Sequence, residues 1–389
     1  MAVAARMKNL GTESAFTVLA RARELEAEGR EVVHLEIGEP DFDTPTHIKE
    51  SAIQALEDGY THYVPAPGLT ETRQAVARNV SERRNIDVDW RRVIVTPGAK
   101  PVMFFTILAL AQRGSEVIYP NPGFPIYESM IRFSGGRPVP MRLSKENNYH
   151  PDLDDLEKKI NDKTSLIILN SPNNPCGSVL SPQEISFIAA LVKRYPNVHV
   201  LSDEIYKDIT YDNTYTSIAS EPGLLDKTII LDGLSKSHAM TGWRLGYGVF
   251  PAPLMEYITR LAVNSVSCAT AFSQRAMISA LEGPQDNVSN MVKEFEERRA
   301  LFVDGLNAIE GIECPMPEGA FYAFANIENT GLSSQQFEQR ALNEAGVALL
   351  SGGGFGRYGE GYVRFSYANS KENLVKAIGR IESFVKGLG

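Results

Sequence analysis

An amine, a hydroxyl and a guanidinium fall close together around residue 236. Lys236 ends the run Gly233-Leu234-Ser235-Lys236, directly after the apolar stretch Thr228-Ile229-Ile230-Leu231. Arg244 follows in Thr241-Gly242-Trp243-Arg244-Leu245-Gly246. A strand end here delivers the amine into a cleft, where it can hold an aldehyde covalently. Ser235 and Arg244 offer a hydroxyl and a bidentate cation to a phosphate. A Ser-Lys pair alone reads as solvated surface; joined to the arginine segment it reads as a site for a phosphorylated aldehyde.

Three further segments have the same character. Thr96-Pro97-Gly98-Ala99-Lys100 follows the strand-like residues 92–96 and opens a helix, so its backbone N–H groups and the helix dipole suit a dianion. Gly98 and Ala99 are small enough for close backbone approach. Asp203 closes the apolar residues 198–201, where it can cap a helix or present a carboxylate to a ligand. Asn174, before Pro175, is a turn residue by type.

These residues need a scaffold that gathers strand ends. At 389 residues two domains are the natural expectation. Residues 14–29 and 47–58 carry helical periodicity, and residues 32–37 read as a strand. Short β-rich runs recur at 92–96, 116–119, 165–169, 198–201, 228–231 and 246–250, with helical stretches such as 182–194 between them. Apolar strands with helical crossovers predict an α/β fold whose mostly parallel sheet is covered on both faces. Ligands bind such sheets beyond the carboxyl ends of the strands. A charged helix over 287–307 leads to a smaller α+β region. It has strand-like residues 319–324 and 361–366, a helix near 333–345, and a last helix with Leu374, Ile378, Ile381 and Val385 on one face.

The ordered motifs Asn170-Ser171-Pro172-Asn173-Asn174-Pro175-Cys176-Gly177, Ser202-Asp203-Glu204-Ile205-Tyr206 and Ser235-Lys236 through Gly246 resemble those of the class I/II aminotransferases of PLP fold type I. Glu36-Ile37-Gly38-Glu39-Pro40-Asp41-Phe42 and Val363-Arg364-Phe365-Ser366 extend the resemblance to both ends of the chain, closest to the prokaryotic aspartate aminotransferase branch. The resemblance implies a large pyridoxal 5'-phosphate domain (46–290, a seven-stranded-type sheet) and a small domain built from 1–45 together with 291–389, joined by a continuous helix. It implies that Lys236 carries the cofactor and moves protons, that Asp203 pairs with the ring nitrogen, and that Tyr206 and Asn174 hold the phenolic oxygen. Ser235, Arg244 and the Gly98–Lys100 loop would hold the phosphate, joined by Tyr63 of a neighbouring subunit in a homodimer, and Phe124 would stack on the ring. Arg364, with Gly38 and Asn174, would grip the substrate's α-carboxylate, and Lys100 its distal carboxylate. One departure stands out: many relatives carry a hydroxyl residue three positions before the lysine, where this chain has Gly233.

The implied activity is a ping-pong transfer of an amino group from an L-amino acid to a 2-oxo acid, with aspartate and 2-oxoglutarate the leading pair. Phe16 and Tyr127 leave room for aromatic, alanine-directed or broad specificity, and a C–S β-lyase would use the same fold. A net charge of -9 without a basic stripe argues against nucleic acid, including a regulator built on this fold. Cys176, Cys268 and Cys314 lie far apart, giving neither a disulfide framework nor a metal site and fitting a reducing compartment. The first ten residues lack an apolar signal core and no run reaches membrane-spanning length, so a cytoplasmic protein is expected.

Overall fold

Uncharged runs of aliphatic and β-branched residues suit strands buried on both faces, and such runs form the centre of this protein. The computed structural model describes residues 3–211 and 215–388. Its strands are β1 (Val33–His34), β2 (Val93–Thr96), β3 (Glu116–Asn121), β4 (Arg137–Arg142), β5 (Thr164–Asn170), β6 (His199–Asp203), β7 (Thr228–Gly233), β8 (Gly246–Val249), β9 (Tyr322–Asn326), β10 (Val347–Ala348), β11 (Leu350–Ser351) and β12 (Tyr362–Ser366). Seven of them form one sheet in the order β2-β8-β7-β6-β5-β3-β4, in which only β8 runs against its neighbours. The mostly parallel α/β sheet expected from the sequence is therefore present.

Alternate residues of each strand feed opposite faces. Val117, Leu166, Ile168, Leu201 and Ile229 pack with the helices Lys100–Leu110 and Ile126–Ser134. Ile118, Ile167 and Val200 pack with the helix Pro182–Arg194. That helix starts where its sequence says it should: Ser181 and Glu184 form a capping box ahead of Pro182.

A second core lies beyond the first. β9, β11 and β12 form an antiparallel sheet, and β1 pairs with β10. Phe321, Val363, Phe365, Leu374 and Ile381 are fully or almost fully buried there, with Val33 and Leu35 from the start of the chain. Full burial of each large apolar side chain contributes about 2 kcal/mol. The helix Asp286–Asn307 enters this core from Met291 onward.

Two local expectations change, and one strand appears where none was expected. Residues 32–37 give only the two-residue β1, because after Leu35 the chain turns away towards the pocket at Gly38. β4 was not legible, since Pro138 and Pro140 lack N–H donors; it survives because it lies at the sheet edge. The helix near 333–345 divides into an α-helix, Ser334–Arg340, and a π-turn, Ala341–Ala345.

Candidate active site

The carboxyl ends of β5, β6 and β7 lie side by side, with Asn170 opposite Asp203 and Asp203 opposite Leu231. They open into a cavity of about 610 Å³. Of the residues singled out from sequence, all but Gly98 and Tyr63 line it, Arg364 arriving from β12 in the second sheet.

Lys236 stands on the wall, its Nζ donating to the Gly38 carbonyl at 2.6 Å. Burial lowers its pKa to about 8; Arg364 and Arg244 push the same way, against Glu39 and Glu13. An amine of that pKa is a competent nucleophile near neutral pH. Asp203 is buried, and burial raises its pKa to about 6. Its Oδ2 accepts a hydrogen bond from the Tyr127 hydroxyl at 2.5 Å, and its Oδ1 one from the Ile205 amide at 3.3 Å. It therefore stays ionised at pH 7 and can hold a proton on a partner facing it.

Behind Asp203 and Lys236 lies a buried charge network. The Arg84 guanidinium bridges Glu204 through Nε (2.6 Å) and Asp232 through Nη2 (3.0 Å), tying the end of β6 to β7. Lys207 and the Tyr247 hydroxyl also reach Asp232 Oδ2, at 2.8 and 2.7 Å. Arg84 Nη1 is buried with no hydrogen-bond partner among the described residues, and removing one member of such a buried charge network is strongly destabilising because it leaves a charge uncompensated.

At another side of the cavity, Ser235, Arg244 and the start of the helix Lys100–Leu110 converge. Arg244 adopts a left-handed backbone (φ 51°) and donates from Nη1 to the Thr241 carbonyl at 2.8 Å. Its guanidinium lies where a Cβ at Gly98 would be, so glycine is required there (φ 83°). Gly98 thus sits behind Arg244 instead of on the cavity surface. Gly233 is less constrained: a Cβ there would come within 3.1 Å of Gly246, its partner on β8, a tight contact but not a collision.

Arg364 is a buried fork. Nη1 donates to Asn174 Oδ1 at 3.1 Å and Nη2 to the Glu36 carbonyl at 2.6 Å, while Nε has no hydrogen-bond partner among the described residues. The Tyr322 and Phe355 rings lie 4.4 and 5.0 Å away. Tyr206, also buried, shares a 2.7 Å hydrogen bond between its hydroxyl and that of Tyr322. Lys100 lies over the Phe124 ring and is ion-paired with Glu13. Tyr63, 92% exposed, stands apart from the cavity.

Sequence reasoning missed the roles of five lining residues. Tyr322 was seen only as part of a strand, and Tyr127 only as apolar lining. Glu13 and its neighbours Ser14 and Ala15, at the head of the first helix, were not seen as lining at all. The glycine at 38 carried a signal for Tyr322, because a Cβ there would collide with the Tyr322 hydroxyl. Among the described residues there is no cluster able to hold a metal ion, and no helix long and apolar enough to cross a membrane.

A cationic corner for a phosphate, an ionised carboxylate, a low-pKa amine and an arginine fork with an unused donor together fit pyridoxal phosphate and an amino acid. The sequence model for "Aminotransferase class I and II" matches residues 30–381. An aspartate aminotransferase of Pyrococcus horikoshii is 41% identical over 361 residues, 92% of this chain and 91% of that protein. Aromatic-amino-acid aminotransferase 2 of Thermococcus litoralis is 39% identical over 359 residues, 91% and 92% of the two. The crystal structure of an aspartate aminotransferase from Rhizobium meliloti matches with a TM-score of 0.94 at 33% identity, over 99% of each chain. The chain belongs to the class I and II aminotransferases and is a pyridoxal-phosphate-dependent transaminase.

Proposed function

We propose that this transaminase moves the amino group of aspartate to 2-oxoglutarate by a ping-pong mechanism, with Lys236 as the covalent anchor of the cofactor. The observation that carries the reading is the placing of the Lys236 amine, the Asp203 carboxylate and the Arg364 fork on one cavity. Bound there, pyridoxal phosphate supplies an aldehyde and a ring that accepts the electrons released when the substrate's Cα proton leaves.

The chain's own residues do the rest. Arg244 and Ser235, with the backbone N–H groups of Ala99 and Lys100, would hold the phosphate, and Phe124 would lie against the ring. Asp203, ionised above about pH 6, keeps a proton on the ring nitrogen. The Tyr206 hydroxyl and the Asn174 amide donate to the ring's phenolic oxygen. Arg364 fixes the α-carboxylate through its open donor edge, with Asn174 and Gly38 beside it. Lys236 Nζ, half neutral at about pH 8, takes the Cα proton. Lys100 faces the distal carboxylate.

The reading extends to the whole molecule. Residues 46–290 form the cofactor domain, and 1–45 with 291–389 the small domain; the separate sheets and cores support this division. The protein acts in the cytoplasm as a homodimer in which Tyr63 of one subunit reaches the phosphate held by the other. The exposure of Tyr63 away from its own chain's cavity supports that last point.

The test is a single half-reaction. Holoenzyme mixed with aspartate and no acceptor should release one oxaloacetate per subunit and then stop until 2-oxoglutarate is added. In a parallel assay with an S-alkylcysteine, continuous release of pyruvate, ammonia and the thiol would instead indicate an eliminating enzyme.

A further inference from the structure

Lys100 is not a free cation. Its Nζ is ion-paired with Glu13, from the segment just before the helix Ala15–Ala27. The Glu13 side chain is only 19% exposed against 50% for Lys100, so the carboxylate is tucked into the cavity while the lysine stem faces solvent. Glu13 lines the cavity, and its charge is felt at Lys236, Arg364 and Tyr322, the groups that would surround an amino-acid substrate. A carboxylate of the chain itself therefore holds the cation that a substrate's distal carboxylate would use. Phe124 lies against the lysine of the pair, and Phe16 and Phe355 add apolar surface to the same cavity.

Aspartate and 2-oxoglutarate both carry a distal carboxylate, whereas aromatic and aliphatic amino acids do not. An unpaired lysine in the pocket would favour acidic side chains and penalise neutral ones, because its charge would lose water without gaining a partner. A lysine with its own counter-ion carries no such penalty.

We propose that Glu13 is a specificity-determining residue, an internal counter-ion of Lys100. With the pair closed, the pocket takes a neutral or aromatic side chain; a dicarboxylic substrate must displace Glu13 to reach the lysine. Glu13 thus broadens the substrate range and weakens acidic ligands. The inference rests on the reading of Lys100 as the residue facing the substrate's side chain.

Calorimetric titration of holoenzyme with two unreactive probes tests it: maleate, which carries a second carboxylate, and 3-phenylpropionate, which does not. Glu13→Gln should bind maleate about 5- to 10-fold more tightly and leave 3-phenylpropionate within about 2-fold. Lys100→Met should weaken maleate, and in that background Glu13→Gln should have no further effect on it. If Lys100→Met weakens maleate but Glu13→Gln leaves the ratio of the two affinities unchanged, the counter-ion role is wrong while the Lys100 assignment stands. If Lys100→Met leaves maleate unchanged, both fall.

Discussion

Arg364 shows how much one side chain is asked to do. Two of its donors are already committed to Asn174 and the Glu36 carbonyl, and burial among Tyr322, Phe355 and the strand ends has lowered its pKa without giving it a carboxylate. It is a fork prepared for an anion. Lysine has one point charge and cannot hold Asn174, Glu36 and a carboxylate in the same plane. Arg364→Lys should therefore lower kcat/KM for every amino acid by roughly 10- to 100-fold, the loss of one or two charged hydrogen bonds. Steady-state kinetics on aspartate and phenylalanine check this, and a loss confined to aspartate would contradict it. Arg364, Lys236 and Asp203 were legible in the sequence because each sits in a local motif whose neighbours constrain its role. Tyr127, Tyr322 and Glu13 were not. Their roles come from contacts across 76, 116 and 87 positions of chain, and nothing in the flanking residues announces those contacts.

At the scale of elements, strands and helices were legible wherever periodicity and caps agreed, as in Pro182–Arg194 with its Ser181 cap. They were obscure where the tertiary setting overrode local preference, as in the proline-bearing edge strand β4. One inter-element contact makes a testable claim about pH. His150 joins Glu184, in the first turn of that helix, at 2.9 Å, and Glu318, just before β9, at 3.3 Å. Hydrogen bonds to Glu184 and Glu318 raise its pKa to about 10 despite burial. A histidine whose folded pKa exceeds its unfolded value, about 6.5, contributes stability that is fully present below pH 6.5 and lost as pH rises through the folded value. The Tm difference between wild type and His150→Gln should therefore be largest below pH 6.5 and should shrink towards pH 10. Thermal scans across that range decide it; a difference that grows with pH would mean that His150 is not held protonated.

For the whole molecule, the sheet brings Lys236 and Asp203 together, the second core brings Arg364, and the proposed dimer brings Tyr63. The first two assemblies follow from the alternation of strands and helices and from the late change of pattern after residue 307. The third follows only from the resemblance and from an aromatic left exposed. Mixing subunits tests it. A hybrid dimer of Lys236→Ala and Tyr63→Ala chains contains one intact site if Tyr63 acts across the interface, and none if it acts within its own subunit. Hybrids purified by two affinity tags should recover about half of the wild-type activity per dimer. Activity no higher than that of either parent would place Tyr63 outside the partner's site.

The anchoring of the cofactor on Lys236 is tested most directly by reducing the holoprotein with borohydride and sequencing its peptides by mass spectrometry. The expected result is a single pyridoxyl group on the peptide carrying Ser235-Lys236, absent from Lys236→Ala prepared in the same way. A label on any other lysine, or an undiminished label in Lys236→Ala, would contradict it.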